Sequence, residues 1–216
     1  NSITPTHLKY IYEFLNILQE NFDIFLIIEK GGKPDFLKNN NYYIQRFGFL
    51  PFRIAENFLI ILYARFKGYR DFYIHYSFLS AFDASIIVKI FSGRTFYWNC
   101  GLPWLYKRSF FRDKFEGSVY RWVNFLVTGT EGLKKEYADH YQLPLSKIKV
   151  MPNWINFEKV RSEKSKVQIE GLKLKLNILN QEKVVLFVHR LSKRKGAHYL
   201  PEIISGLKNE NVILAV

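Results

Sequence analysis

The residues best placed to do chemistry lie near the C-terminus, in Lys183–Leu200, which reads KVVLFVHRLSKRKGAHYL. A run of apolar residues that reads as a buried strand, Val184–Val188, empties into a turn carrying Arg190, Lys193, Arg194 and Lys195, and Gly196 then opens a segment with the look of a helix. A strand, a cationic turn and a helix start together make a phosphate site. Backbone N–H groups and the positive end of the helix dipole face the anion, and Arg and Lys add full charges. The same residues also fit a plain strand-to-helix junction whose charges are merely solvated. Lys193 and Arg194 read as solvated neighbours, and His189 reads as a further phosphate donor or as a satisfied, partly buried histidine.

Two other stretches carry reactive or binding side chains. Cys100 follows an apolar run at Thr95–Asn99. A nucleophilic role for it lacks support, because no histidine or cation in its immediate sequence would activate the thiol, and a buried structural thiol fits as well. Being the sole cysteine, it excludes an intrachain disulfide, and no Cys/His cluster has zinc spacing, so neither a metal nor a bound cofactor is expected. Between Trp104 and Trp122, the basic residues Lys107, Arg108 and Arg112 interleave with aromatics. That mixture suits an anionic bilayer interface, or an amphipathic helix with its aromatics turned inward.

The elements that must position these groups follow from composition and pattern. With 216 residues there is room for one large or two small domains, and 48% hydrophobic content rules out a disordered chain. An aromatic content of 18% predicts packed aromatic cores, with Tyr and Trp left over for binding surfaces. The net charge of +13 calls for an anionic partner: nucleic acid, a lipid surface or a phosphorylated small molecule. No helix-turn-helix, RNP or zinc signature supports the first, so no specific nucleic acid is expected. The longest apolar stretch, Phe47–Phe66, is broken by Arg53, Glu56 and Arg65 and is not a membrane span. A cytoplasmic protein, soluble or peripheral at the inner face of a membrane, is the expectation.

Helical spacing marks His7–Glu20, with Thr6 as a cap, and further helices are predicted from Pro51 to about Arg65, over Ser80–Phe91, within Trp104–Trp122, over Thr130–Tyr141 and over Lys195–Leu207. Short apolar runs between them predict strands at Phe22–Glu29, Tyr42–Phe47, Phe72–Tyr76, Thr95–Asn99, Phe125–Thr128, Lys149–Met151, Val184–Val188 and Asn211–Val216. Continuous apolar strands alternating with helices predict an α/β fold with parallel sheets. In such sheets ligands sit at the C-terminal ends of strands, which points to the turns after Tyr76, Asn99, Thr128 and Val188. Domain limits are expected at 1–153 and 183–216, with a polar linker over 154–182. The start at Asn1 and the finish inside an apolar run predict that a first strand and the rest of the second domain lie outside this sequence.

Four stretches in this order resemble the GT-B glycosyltransferases, specifically the group 1, family 4-like enzymes that use nucleotide sugars. VVLFVHRLSKRKG (184–196) resembles that family's strand, Gly-Arg-Leu turn and Lys-Gly pair. KIKVMPNWINFEKV (147–160) resembles its interdomain Pro-Asn segment, FLVTGTEGLKKEYADHY (125–141) its last N-domain strand and helix start, and FYWNCGLPW (96–104) the position of its His-Gly pair. The resemblance implies two Rossmann-like domains, an acceptor-side one and then a truncated donor-side one. It implies transfer of a sugar, with retention, from a nucleotide-diphosphate-sugar co-substrate to a cell-envelope polysaccharide or glycolipid.

By the same resemblance Arg190 and Lys195 grip the donor diphosphate, with Gly196, His189 and Asn153 beside the donor. Cys100, or Asn99 if the register slips by one, takes the place of the family's histidine. Trp104, Lys107, Arg108 and Arg112 form the surface offered to a saccharide or lipid-linked acceptor and an anionic membrane. His189 stands where glycine is common, and Cys100 donates hydrogen bonds weakly. A basic nucleic-acid-binding module and a non-catalytic GT-B-like protein are the alternatives.

Overall fold

In a computed structural model the described residues are 9–29, 31–33, 37, 41–154, 170–171, 173–175, 178, 183–207 and 210–215. The Thr6 cap and almost all of the expected linker fall outside them. The chain divides into two compact units, Asn1–Ile155 and Asn156–Val216.

The first unit runs α1 (Lys9–Leu18), β1 (Leu26–Ile28), β2 (Tyr42–Ile44), α2 (Leu50–Phe66), β3 (Asp71–His75), α3 (Phe78–Phe91), β4 (Arg94–Trp98), α4 (Phe110–Trp122), β5 (Phe125–Thr128), α5 (Glu131–Tyr141) and β6 (Ile148–Val150). Every strand pairing is parallel, in a four-stranded sheet ordered β3-β4-β5-β6 and a β1-β2 pair. Register places Ile74, Tyr97, Leu126 and Ile148 in one row across the larger sheet. Because side chains alternate along a strand, that row faces one side. There it meets Ala81 of α3, Val119 and Tyr120 of α4, and Tyr137 and Tyr141 of α5. Leu126, Ile148 and Val119 are fully buried, each burial worth about 1.5–3 kcal/mol.

The core is strongly aromatic, as the composition predicts. Tyr97 stacks on Tyr120 with centroids 5.7 Å apart, and Tyr120 meets Tyr137 edge-on at 5.4 Å. Strand starts are pinned by polar pairs. Asn124 Oδ1 accepts from the Thr95 amide and hydroxyl, and the Asn124 amide donates back to Thr95 Oγ1 at 2.9 Å. Side chains tie β1 to β3 at both ends. Tyr69, before β3, donates to Asp23, before β1, at 2.8 Å, and Ser80, after β3, donates to Glu29, after β1, at 2.9 Å. The two strands therefore run in the same direction. Thr130 caps α5, its Oγ1 accepting from the Leu133 amide at 3.1 Å.

The second unit holds β7 (Lys183–Leu186), α6 (Leu200–Gly206) and β8 (Val212–Ala215), with β7 and β8 parallel. The helix expected from Lys195 begins later. Two short 3-10 turns, Lys193–Lys195 and Ala197–Tyr199, come first. The expected buried strand is also different in kind: all four residues of β7 are exposed within the described residues. Among the described residues β7 has one strand neighbour, β8, and a pair that narrow does not cover the faces of an apolar strand.

Candidate functional site

Two sets of candidate residues lie in different units. In the first unit, β4 ends at Trp98 and the chain turns through Asn99, Cys100 and Gly101. The Asn99 amide donates to the Val127 carbonyl at 2.9 Å, extending the sheet by one bond. The Asn99 side chain is buried, and both of its polar ends are engaged. Its Nδ2 donates to the Tyr120 hydroxyl at 3.0 Å, and its Oδ1 accepts from the Gly101 amide at 2.9 Å. Tyr120 in turn donates to Glu116 Oε1 at 2.6 Å, and the other oxygen of that buried carboxylate is paired with Arg108. From the far side, Tyr137 donates to the Gly101 carbonyl at 2.8 Å. A buried relay from Arg108 through Glu116 and Tyr120 to Asn99 thus fixes this loop. Burial raises the Tyr120 phenol far above its ordinary range, so it stays a donor.

Cys100 is half-buried, and desolvation pushes its thiol up to about 11, against a smaller opposing effect of the Gly129 amide. The thiol is protonated at neutral pH, which leaves little of the nucleophilic thiolate. Its space depends on Gly129, where a Cβ would lie 2.8 Å from Sγ. One strand over, at the end of β3, His75 stacks on Trp98 at 4.2 Å and an interplanar angle of 9°. Tyr76 follows with a positive φ of 61°, its amide donating to the Trp98 carbonyl at 3.0 Å. Burial pushes His75 down to about 4, so the imidazole is neutral. Sequence reasoning marked the turn after Tyr76 but missed His75 and Tyr76 themselves. The usable signal was a histidine ending an apolar strand; the left-handed Tyr76 leaves no trace in residue type.

Trp104 and Arg108, expected on an outer surface, turn inward. Trp104 stacks on His140 at 4.5 Å and meets Tyr137 edge-on, while Arg108 is committed to Glu116. Lys107 is exposed, and Arg112 lies over the Phe78 ring at 5.5 Å. Their exposed apolar neighbours are Leu105, Tyr106, Phe110 and Phe111. Asn153 is exposed in the stretch after β6.

In the second unit, β7 leads into His189 and Arg190, both exposed, and the Arg190 amide donates to His189 Nδ1 at 2.7 Å. The imidazole thus holds the turn at Arg190. Lys195 is exposed, and Gly196 caps its 3-10 turn with φ of 77°, a conformation that side-chain-bearing residues adopt at a cost. Because α6 starts only at Leu200, full cationic charges and turn amides, and not a helix start at Gly196, are the available anion ligands. Among the described residues, neither Arg190 nor Lys195 is held in an ion pair. No group of three or more His, Cys, Asp or Glu side chains among the described residues could hold a metal ion.

No protein-family model matches this sequence, and no curated protein matches it. Solved structures do match in fold. The chain superposes on HepE (Alr3699) of Anabaena, solved in complex with UDP and glucose, with a TM-score of 0.68 and 13% identity, over 99% of this chain and 58% of that one. A glycosyltransferase from Rickettsia africae gives 0.66 and 18% identity, over 95% and 55%. UDP-GlcNAc 2-epimerase from Methanocaldococcus jannaschii gives 0.52 and 14%, over 97% and 61%. At such identities the likeness defines the fold, which is the GT-B-like glycosyltransferase type built from Rossmann-like α/β units. The chain spans a little over half the length of the solved chains it matches.

Proposed function

We propose that the protein is a glycosyltransferase of the group 1, family 4-like class. It moves a hexosyl group, with retention, from a nucleotide-diphosphate sugar to a saccharide or lipid-linked acceptor of the cell envelope. The observation that carries this reading is the exposed Arg190 and Lys195 flanking the turn after β7, in a fold whose solved examples include a protein crystallised with UDP-glucose. Breaking the bond between the sugar and its phosphate leaves negative charge on the departing diphosphate. Two fixed cations at that oxygen stabilise the transition state more than the ground state. His189 acts through Arg190 by holding its backbone, and Gly196 lets the chain turn beside the phosphates. Asn153 is assigned to the donor side on the resemblance alone. No residue of the Asn99–Gly101 loop is given a bond-making role, because the Asn99 amide is fully engaged and the Cys100 thiol is protonated.

A second reading, an epimerase acting on the sugar of a nucleotide sugar, is favoured by the likeness to the M. jannaschii enzyme. Incubation of the whole protein with a panel of UDP-, GDP- and ADP-sugars separates the two. The transferase reading expects free nucleoside diphosphate to appear only when a saccharide acceptor is present. Interconversion of two nucleotide sugars without acceptor would replace it with the epimerase reading.

A further inference from the structure

Two stretches of the first unit, one running from the loop after β2 into α2 and one opening α4, display exposed aromatic side chains. After β2, the chain exposes Phe47 (53%), Phe49 (66%) and Phe52 (60%). After β4, it exposes Phe110 (69%) and Phe111 (83%). The rings gather into clusters instead of scattering: Phe52 lies 5.8 Å from Phe47 and 5.7 Å from Phe49, and Phe110 lies 6.0 Å from Phe111. Both stretches follow strands that end on the same side of the unit, and Arg112 at the start of α4 lies over Phe78 at the start of α3. β1 and β2 are parallel, β1 is tied to β3 in the same direction at both ends, and β3 and β4 are parallel. The C-terminal ends of β2 and β4 therefore point the same way.

The first loop is also built to be presented. Buried Glu56 accepts from the Tyr43 hydroxyl and the Arg46 amide, each at 2.8 Å, and from the Phe47 amide at 3.2 Å. A buried carboxylate spent on loop backbone is costly unless fully bonded, as this one is. It ties the backbone at Arg46 and Phe47 to α2 while the side chains of Phe47, Phe49 and Phe52 stay exposed. Charge then selects the partner. Across residues 45–56 and 104–116 the acids are Glu56, Asp113 and Glu116, and all three accept hydrogen bonds inside the unit. Arg46, Lys107, Arg112 and Lys114 remain exposed and positive.

We propose that this end of the first unit docks on an anionic lipid bilayer, with the phenyl rings of Phe47, Phe49, Phe52, Phe110 and Phe111 entering the interface and the flanking cations meeting headgroups. Exposed aromatics supply the apolar part of such binding and basic side chains the electrostatic part. The residues of this surface belong to the first unit and Arg190 and Lys195 to the second, so docking and donor binding are tested by different variants.

The test is co-sedimentation of the whole protein with vesicles of phosphatidylcholine alone and with about a quarter phosphatidylglycerol. Binding is expected to favour the anionic vesicles and to weaken, without vanishing, at roughly 0.5 M salt. Phe49→Ser/Phe52→Ser and, separately, Phe110→Ser/Phe111→Ser are each expected to lower vesicle affinity at least about tenfold, with melting temperature and UDP affinity unchanged. Two independent pairs guard against a fold defect in one. No binding to either vesicle overturns the proposal. So does binding to anionic vesicles that both Ser variants retain in full, which is charge attraction alone. Concentration-dependent self-association that the Ser changes abolish, without vesicle binding, assigns the surface to a second copy and also overturns it.

Discussion

The two units use similar apolar strands to opposite effect. Leu126 and Val127 of β5 are buried in a sheet flanked by neighbours on both edges, whereas Val184, Val185 and Leu186 of β7 are 37–66% exposed in a two-stranded pair. Their candidate residues differ in the same way. The Asn99–Gly101 loop is fixed by a buried relay, while Arg190 and Lys195 are free of ion pairs among the described residues. Side chains locked by the fold can be lost only at a cost to stability; exposed cations can be lost at almost none. That asymmetry sorts what holds the structure from what is available to a ligand.

The largest expected effect is in the relay. Arg108→Ala strands the Glu116 carboxylate in the interior, and leaving a buried charge unpaired costs about 3–5 kcal/mol. Chemical denaturation reads it. A loss under about 1 kcal/mol would mean that the relay is solvated and that the contrast between the units is weaker than drawn.

Next comes Gly129→Ala, whose Cβ would sit 2.8 Å from Cys100 Sγ. Overpacking of this kind costs about 1–3 kcal/mol. Adding Cys100→Ala is expected to restore most of it, so a double-mutant cycle measures the contact. Additive losses would show that the two residues do not touch.

A smaller effect appears in the pH dependence. Burial pushes the Asp83 carboxyl up from an ordinary 3.8 to about 6, with the Asn57 bond pulling against it. Between those values the folded chain keeps a proton that the unfolded chain has released. This group's contribution is thus full below pH 3.8 and lost as pH rises through about 6. His75 acts in reverse. With its value pushed from 6.5 to about 4, the unfolded chain takes up a proton that the folded chain does not, and stability falls on acidification across that span. Asp83→Asn is expected to raise the melting temperature at pH 7 by roughly a few degrees and to steepen the fall between pH 6.5 and 4. An unchanged profile would mean that Asp83 titrates normally.

How much of this was legible from residue order depends on distance along the chain. The strand Phe125–Thr128 and the helix that follows it were readable because apolar runs and helical spacing act locally. Parallel pairing was readable because the runs are apolar without alternation. The delayed start of α6 was not, since Gly196 in a left-handed turn and the 3-10 geometry before it arise from backbone choices that a Lys-Gly pair leaves open. The burial of β7 was misjudged because an apolar run states what a strand prefers, not what covers it. Nor could spacing reveal that Arg108 serves Glu116 eight positions on, across a turn and into a helix, when the same arginine looked fit for a membrane surface. That Arg190 and Lys195 sit in an exposed turn was the easier part, because charges in a turn need no partner to be recognised.

The most direct test of the central claim is the affinity of the whole protein for UDP, measured by calorimetry with Arg190→Ala and Lys195→Ala. Each is expected to weaken binding by about 10- to 100-fold, the loss of one charge-assisted phosphate contact, with a melting temperature that does not move. UDP affinity unchanged in both variants would contradict the donor site assigned to the turn after β7.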